Sequence, residues 1–293
     1  MRILITGASG MLGSTAAVEL GKSYEVYATG NTTFESVPFE NYQAFDLGSE
    51  DYTALLDWAD PDVILHAAAL TNGNFCQENP VTAFDLNGVT LDKFIRQSKD
   101  HVKIIYISTD AVFSGSSSLS LEDDCVSPEN VYGKSKELGE FFLRNSAKNY
   151  CILRTTIVGL NILHRKNSFV EWIINAANSN EKIGLFNDVF FNPISIWDLI
   201  EEIKTNIIPN DIKGIYHLAG SEVCTKYEFG SRLIHEMNLS DEYLSASSIL
   251  SFADRAKRCT DQTLSVEKYE REFQKTMPTI EQTIKAIKNN YNE

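Results

Sequence analysis

An α/β chain built on a doubly wound parallel sheet, followed by a smaller α/β region, is predicted by three observations. Short apolar runs alternate with helical patterns through the first half of the 293 residues, as stacked strand–helix units require. The first apolar run leads straight into a glycine-rich turn, Gly7-Ala8-Ser9-Gly10-Met11-Leu12-Gly13. After about Thr155 the rhythm loosens, yet no glycine- or proline-rich linker marks the change. The chain therefore divides into residues 1–155, a Rossmann-like dinucleotide-binding domain, and a substrate-binding region over 156–293. Some segments of the second part are expected to pack back onto the first.

Each element has its own signal. Arg2–Thr6 is the apolar run ahead of the glycines, and Met11–Leu20 is the helix they open. Further strands are expected at Glu25–Ala28, Tyr42–Phe45, Val63–His66, Lys103–Ser108 and Cys151–Arg154. The run Ile104-Ile105-Tyr106-Ile107 is apolar without alternation, which suits a strand covered on both faces. Helical patterns fill the intervals at Glu50–Trp58, Pro80–Ser98 and Val131–Arg144. Beyond Thr155, helices are expected at Ser168–Asn178, Ile196–Thr205, Lys226–Met237 and Thr279–Asn289, with strands at Lys182–Phe186 and Gly214–Leu218. The polar stretch Ser114–Ser120 is the most loop-like.

Composition narrows the function. Hydrophobic residues make up 43% and charged residues 23%, the balance of a globular protein. No apolar run approaches the ~20 residues of a membrane helix. The chain opens on a strand rather than a leader, so a cytoplasmic protein without a membrane partner is expected. A net charge of −14 with no long basic run argues against nucleic acid. The cysteines at 76, 125, 151, 224 and 259 are scattered, and neither they nor the histidines at 66, 101, 164, 217 and 235 show metal-ligand spacing. Reduced thiols and no metal are expected.

The glycine turn follows a strand and opens a helix, the context in which Gly-x-x-Gly-x-x-Gly seats a dinucleotide pyrophosphate. Gly7, Ser9, Gly10, Met11, Leu12 and Gly13 are the residues of that seat. Asp46 can bond the adenine amine with Leu47 against the ring; a turn-capping carboxylate is the other reading of Asp46. An acid at the end of the second strand would bind the ribose hydroxyl and repel a 2′-phosphate. Here Asn31, Thr32 and Thr33 are neutral, which favours NADP(H) over NAD(H).

The fifth strand ends in Ser108-Thr109-Asp110, at the edge where doubly wound sheets bind ligands. Tyr132 is the only tyrosine with a lysine, Lys136, four residues later. On a helix the two share a face. Thr109 can hold a substrate carbonyl oxygen, Tyr132 protonate it, and Lys136 bond the nicotinamide ribose while lowering the tyrosine pKa.

Together Gly7-x-x-Gly10-x-x-Gly13, His66-Ala67-Ala68-Ala69, Ser108-Thr109-Asp110-Ala111-Val112-Phe113-Ser114-Gly115 and Tyr132-Gly133-Lys134-Ser135-Lys136 resemble the extended short-chain dehydrogenase/reductases. Within them the chain is most similar to the dTDP-4-dehydrorhamnose reductases, sugar-nucleotide 4-ketoreductases. Cys76-Gln77-Glu78-Asn79-Pro80, Asn87, Leu153-Arg154-Thr155-Thr156, Phe191-Asn192-Pro193 and Gly214–Gly220 extend the resemblance over nearly the whole chain. It implies an NAD(P)H-dependent reduction of a nucleotide-activated deoxysugar. It adds Ala67, Ala68, Ala69, Asn87 and Ser108 to the cofactor set, beside Tyr132 and Lys136. Ser108, Asp110, Asn192 and an arginine at Arg255 or Arg258 fall on the substrate side. Asn192-Pro193 is equally readable as a structural turn, and Arg154 reads as one half of a buried pair. The family also implies a homodimer.

Three departures bear on the substrate. Thr156-Ile157-Val158 replaces the family's aromatic pair, an acid that often precedes the Cys76 position is missing, and no carboxylate cluster suggests magnesium. Ala111 follows Asp110 where sibling dehydratases carry a glutamate, so elimination is disfavoured. A 4-epimerase, or a non-catalytic NADP-binding subunit like the β subunit of methionine adenosyltransferase, are the alternatives.

Overall fold

Alternate residues of the central strands face two different helical layers, and this sorting organises the computed structural model. It describes residues 1–34, 37–164, 167–251, 256–257 and 259–291. The first half runs β1 (Arg2–Thr6), α1 (Met11–Gly21), β2 (Glu25–Gly30), β3 (Asn41–Ala44), α2 (Thr53–Ala59), β4 (Val63–His66), α3 (Gly73–Glu78), α4 (Pro80–Phe84), a π-helical turn (Asp85–Val89), α5 (Thr90–Gln97), β5 (Lys103–Thr109), α6 (Val131–Ser146) and β6 (Tyr150–Thr155). The second half adds β7 (Ile157–Val158), α7 (Phe169–Asn178), β8 (Ile183–Phe186), β9 (Phe190–Phe191), β10 (Ile194–Ser195), α8 (Ile196–Glu202), β11 (Gly214–Leu218), β12 (Cys224–Thr225), α9 (Lys226–Glu236), β13 (Leu244–Ser247), β14 (Asp261–Gln262), α10 (Glu267–Phe273) and α11 (Ile280–Tyr291).

Seven strands form one parallel sheet in the order β11-β6-β5-β4-β1-β2-β3. The order reverses between β1 and β4, which opens a crevice at their carboxyl ends. On one face Ile3, Ile5, Leu65, Ile105, Ile107 and Leu153 pack against α1 and α8. On the other, Leu4, Ile64, Ile104, Tyr106 and Ile152 meet α2, α5 and α6. Both faces are covered, which explains the unbroken apolar runs.

A second core joins α7, α9 and α11 around Ile173, Phe229, Leu233 and Ile284. Small sheets β12-β9-β14, β10-β7 and β13-β8 frame it. Ser168 with Glu171 and Thr225 with Glu228 form reciprocal caps that start α7 and α9. Strand β11 and helix α10 belong to the large sheet's side: Tyr269 of α10 is fully buried and donates to Glu202 Oε2 at 2.7 Å.

Local departures from the sequence reading have physical causes. The helix expected over Pro80–Ser98 is interrupted by the π-helical turn, where Asn87 turns inward. The helix expected from Glu50 starts at Thr53, because the Asp51 carboxylate accepts from Thr53 N at 2.8 Å and Gln97 Oε1 takes Tyr52 N. Strand β2 extends to Gly30, and the helix expected through Thr205 widens into a π-helical turn at Ile203–Ile207. Helices α3 and α10 and the two-residue strands were not expected.

Candidate active site

The glycine turn is shaped by two contacts. Gly7 sits at φ +74°, and a Cβ there would lie 2.7 Å from the Ala68 backbone; one on Gly13 would lie 2.3 Å from the Gly7 carbonyl oxygen. Both positions therefore exclude a side chain. Gly10 differs: it is exposed, and a Cβ would meet only the Gly7 oxygen, at 3.4 Å. The space above Gly10 is open, and the α1 N-terminus has neither a side-chain cap nor an acid in its first turn. Uncapped N–H groups beside open space make a cradle for an anion. Ser9 borders Gly30, where a Cβ would stand 2.9 Å from Ser9 Oγ. Met11 and Leu12 turn partly or wholly into the core below.

Around this cradle, Asn31 is exposed and Thr32 half-buried, with Thr32 Oγ1 donating to Asn31 Oδ1 at 3.2 Å. Asp46 is exposed and caps its own turn, accepting from Gly48 N at 2.8 Å, while Leu47 is buried beneath. Ala67, Ala68 and Ala69 line the exit of β4 half-exposed, held by the Ala68 N to Thr6 Oγ1 bond of 3.3 Å. His66, fully buried, bonds Thr6 through Nδ1 at 2.9 Å; burial pushes its pKa down to about 3, so it stays neutral.

Three consecutive residues of β5 take three side chains of α6. Lys136 Nζ donates to the Ile107 carbonyl at 2.7 Å, Ser108 Oγ donates to Glu140 Oε1 at 2.6 Å, and the Thr109 hydroxyl lies beside the Tyr132 phenol. Asn130 starts α6 by accepting from Gly133 N at 2.9 Å, which fixes Tyr132 in the first turn. Thr109 Oγ1 also donates to Asp110 Oδ1 at 2.7 Å. Asp110 is half-buried, and desolvation raises its pKa, offset in part by Thr109 and Lys226.

The electrostatics differ from the sequence expectation in one respect. Enclosure, and not the neighbouring lysine, dominates the Tyr132 pKa. Burial raises the phenol well above its ordinary value, with the Thr109 hydroxyl opposing and the Asp110 charge adding. Lys136 is itself 2% exposed, its ammonium 4.1 Å from the Tyr106 ring centroid, and burial lowers its pKa to about 7.

Three other expected ligand residues face the protein instead. Asn87 is wholly buried: Leu70 N donates to its Oδ1 at 2.7 Å, and its amide donates to Leu70 O and Ser135 Oγ. It shapes the loop after β4 and presents nothing to the crevice. Ser108 is committed to Glu140, two residues past Tyr106 on the helix side of the strand. Asn192 is 1% exposed and staples two segments, donating to Gly220 O and Leu264 O at 2.8 Å each and accepting from Leu264 N at 3.0 Å. Its structural reading is the correct one. Arg255 and Arg258 lie outside the described residues; their neighbour Lys257 pairs with Glu129, and Ala256 N bonds Asn74 Oδ1 at 2.9 Å.

Glu140 was overlooked. Its signal was present, an acid four residues beyond Lys136 on the same helix face. It forms a buried two-point pair with Arg154, at 3.0 and 2.7 Å. The described cysteines are all free thiols. Among the described residues no group of three or more His, Cys, Asp or Glu is placed to hold a metal. No described helix is long and apolar enough to cross a membrane.

Comparison with known proteins agrees with this geometry. The family model of the RmlD substrate binding domain matches residues 1–293. The spore coat polysaccharide biosynthesis protein SpsK of Bacillus subtilis (strain 168) is 30% identical over 251 residues, spanning 84% of this chain and 83% of that protein. The dTDP-4-dehydrorhamnose reductase of Escherichia coli (strain K12) is 26% identical over 275 residues, 86% of this chain and 90% of that one. Among solved structures, the dTDP-4-dehydrorhamnose reductase of Bacillus anthracis str. Ames in complex with NADP superposes with a TM-score of 0.86 at 25% identity, covering 98% of each chain.

Proposed function

This chain belongs to the RmlD substrate binding domain family, and on that premise we propose that it reduces the 4-keto group of a nucleotide-activated deoxysugar. It would be a dTDP-4-dehydrorhamnose reductase-like oxidoreductase of cell-surface polysaccharide or deoxysugar biosynthesis. The observation that carries this is the seating of α6, with Tyr132 and Lys136, against Ile107–Thr109 at the carboxyl end of β5, beside an open glycine cradle.

The cradle fits a nicotinamide dinucleotide, because its N–H groups are uncapped and a side chain at Gly10 would fill the open space. Gly7, Ser9, Gly10 and Gly13 would hold the pyrophosphate, Asp46 and Leu47 the adenine, and Lys136 the nicotinamide ribose. Ala67, Ala68 and Ala69 leave room along the β4 exit. The uncharged Asn31 and Thr32 favour NADP(H), since a 2′-phosphate meets no carboxylate on these two residues. When bound, the nicotinamide supplies hydride to the carbonyl carbon.

The chain's own residues supply position and the proton. Thr109, on turning its hydroxyl from Asp110 to the substrate, holds the carbonyl oxygen, and Tyr132 donates its proton to that oxygen as negative charge develops there. A phenol whose pKa burial has raised is protonated at neutral pH, the state a donor needs. Lys136, in its charged form, stabilises the phenolate left behind. Asp110 and an arginine from the 255–258 stretch would meet the substrate.

The test is oxidation of NADPH and NADH with dTDP-4-dehydrorhamnose by wild type and Tyr132→Phe. Turnover in the wild type that collapses in the variant supports the reading. Cofactor binding without turnover on any keto-sugar nucleotide would sink it.

A further inference from the structure

We propose that Glu140 is a positioning residue for the reaction, its buried carboxylate serving as the counter-charge that keeps Lys136 protonated and its helix seated on β5. The inference rests on the reading above in one respect, that Lys136 meets the cofactor.

Glu140 is completely buried, one helical turn beyond Lys136 on the same face. Adjacent residues of β5 hold the two side chains next to each other, the Ile107 carbonyl taking Lys136 and the Ser108 hydroxyl taking Glu140. Arg154 fixes the carboxylate from behind with two bonds, and is itself held by the Glu122 carbonyl at 3.2 Å and the face of Phe113 at 4.9 Å. The carboxylate is thus fixed by Arg154 and by Ser108, one helical turn from Lys136.

The groups facing Lys136 are few. Its own helix offers Tyr132 and Glu140, β5 offers the Tyr106 ring and the Ile107 carbonyl, and β4 offers His66. Tyr132 and Tyr106 are protonated and His66 is neutral at ordinary pH, because burial disfavours their charged forms. Arg154 lies beyond Glu140. Burial works against the ammonium, and Glu140 is the charge that opposes it. Stability alone is a weak reason for such a pair, since well-packed apolar replacements of buried ion pairs are often neutral or stabilising.

The test follows NADP⁺ affinity by calorimetry across the neutral pH range. Wild type should lose affinity as pH rises, through a step that Lys136→Met abolishes. In Glu140→Gln that step should move to lower pH by about one unit, so affinity at neutral pH falls several-fold and recovers in acid. Glu140→Asp, which keeps the charge, should keep the wild-type midpoint. The double variant Glu140→Gln/Arg154→Met removes both halves of the Arg154 pair, so no arginine is left buried without its carboxylate, and it should also shift downward, which decides the matter if the single variant does not fold. An unchanged midpoint in the folded variant, a uniform loss at every pH, or a wild-type profile identical to that of Lys136→Met overturns the proposal. Turnover on keto-sugar nucleotides is recorded in parallel. Its absence in wild type, with normal NADP⁺ binding, counts against the reductase reading while the midpoint still decides the role of Glu140.

Discussion

Lys136 presses its ammonium against the Ile107 carbonyl at 2.7 Å, inside the layer between α6 and β5. Little water reaches it, and its pKa falls from 10.5 to about 7. The sign of the consequence can be worked out. Between about 7 and 10.5 the unfolded chain holds a proton on this lysine that the folded chain has released. Stability therefore rises with pH across that window and is lowest below it. The thermal midpoint of wild type, relative to Lys136→Met, should climb from neutral to mildly alkaline pH. A flat difference would show that Lys136 keeps an ordinary pKa.

Tyr132→Phe removes the transferable proton and little else. Turnover should fall by about 10²- to 10⁴-fold, with dinucleotide affinity near wild type. Stopped-flow single turnovers and equilibrium binding separate the two; near-normal rates would assign the proton to another group.

Gly10 and Gly13 should fail differently. Gly13→Ala drives a methyl to 2.3 Å from the Gly7 oxygen and should cost about 1–3 kcal/mol in urea unfolding. Gly10→Val meets open space, so stability should hold within about 0.5 kcal/mol while dinucleotide affinity drops. Unchanged affinity in Gly10→Val would remove the cradle from the binding site.

Asn31→Asp places a carboxylate where a 2′-phosphate is proposed to lie. NADPH affinity should weaken by roughly tenfold or more, with NADH little affected. Equal effects on the two cofactors would place the phosphate elsewhere.

Asn192→Ala strands the Gly220 and Leu264 carbonyls and the Leu264 N–H inside the protein. We expect a loss of about 2–3 kcal/mol in denaturant unfolding and an unaltered KM in the folded fraction. A raised KM with full stability would return Asn192 to the substrate.

The large sheet was legible because both its faces are covered, so β1, β4 and β5 carry unbroken apolar runs and helices of the right length fall between them. The juxtaposition of Thr109, Tyr132 and Lys136 was legible because their spacing joins a strand end to one helix face. Asn87, Ser108 and Asn192 are expected at the ligand yet bond within the protein, for one shared reason. Residue type places a polar side chain at the crevice but not the direction in which it points. Ser108 could have been placed by period-two counting from Tyr106, which faces the helix layer. The strands β7, β9, β10, β12 and β14 have two residues each, too few for any periodicity to register. The lowering of the Lys136 pKa follows from enclosure, which a one-turn spacing does not report.

Strand β11 pairs with β6 in parallel register, Gly214 opposite Cys151 through Leu218 opposite Thr155. A ribosome delivers β6 long before it delivers this partner. In the interval the nascent chain displays an unpaired row of backbone amides and carbonyls along Cys151, Ile152 and Leu153, the kind of edge that recruits strands from other chains. A fragment ending near Thr155 would carry that exposed edge permanently and should aggregate on expression. The boundary legible in the sequence is thus a change of rhythm, and not a seam along which the molecule can be cut.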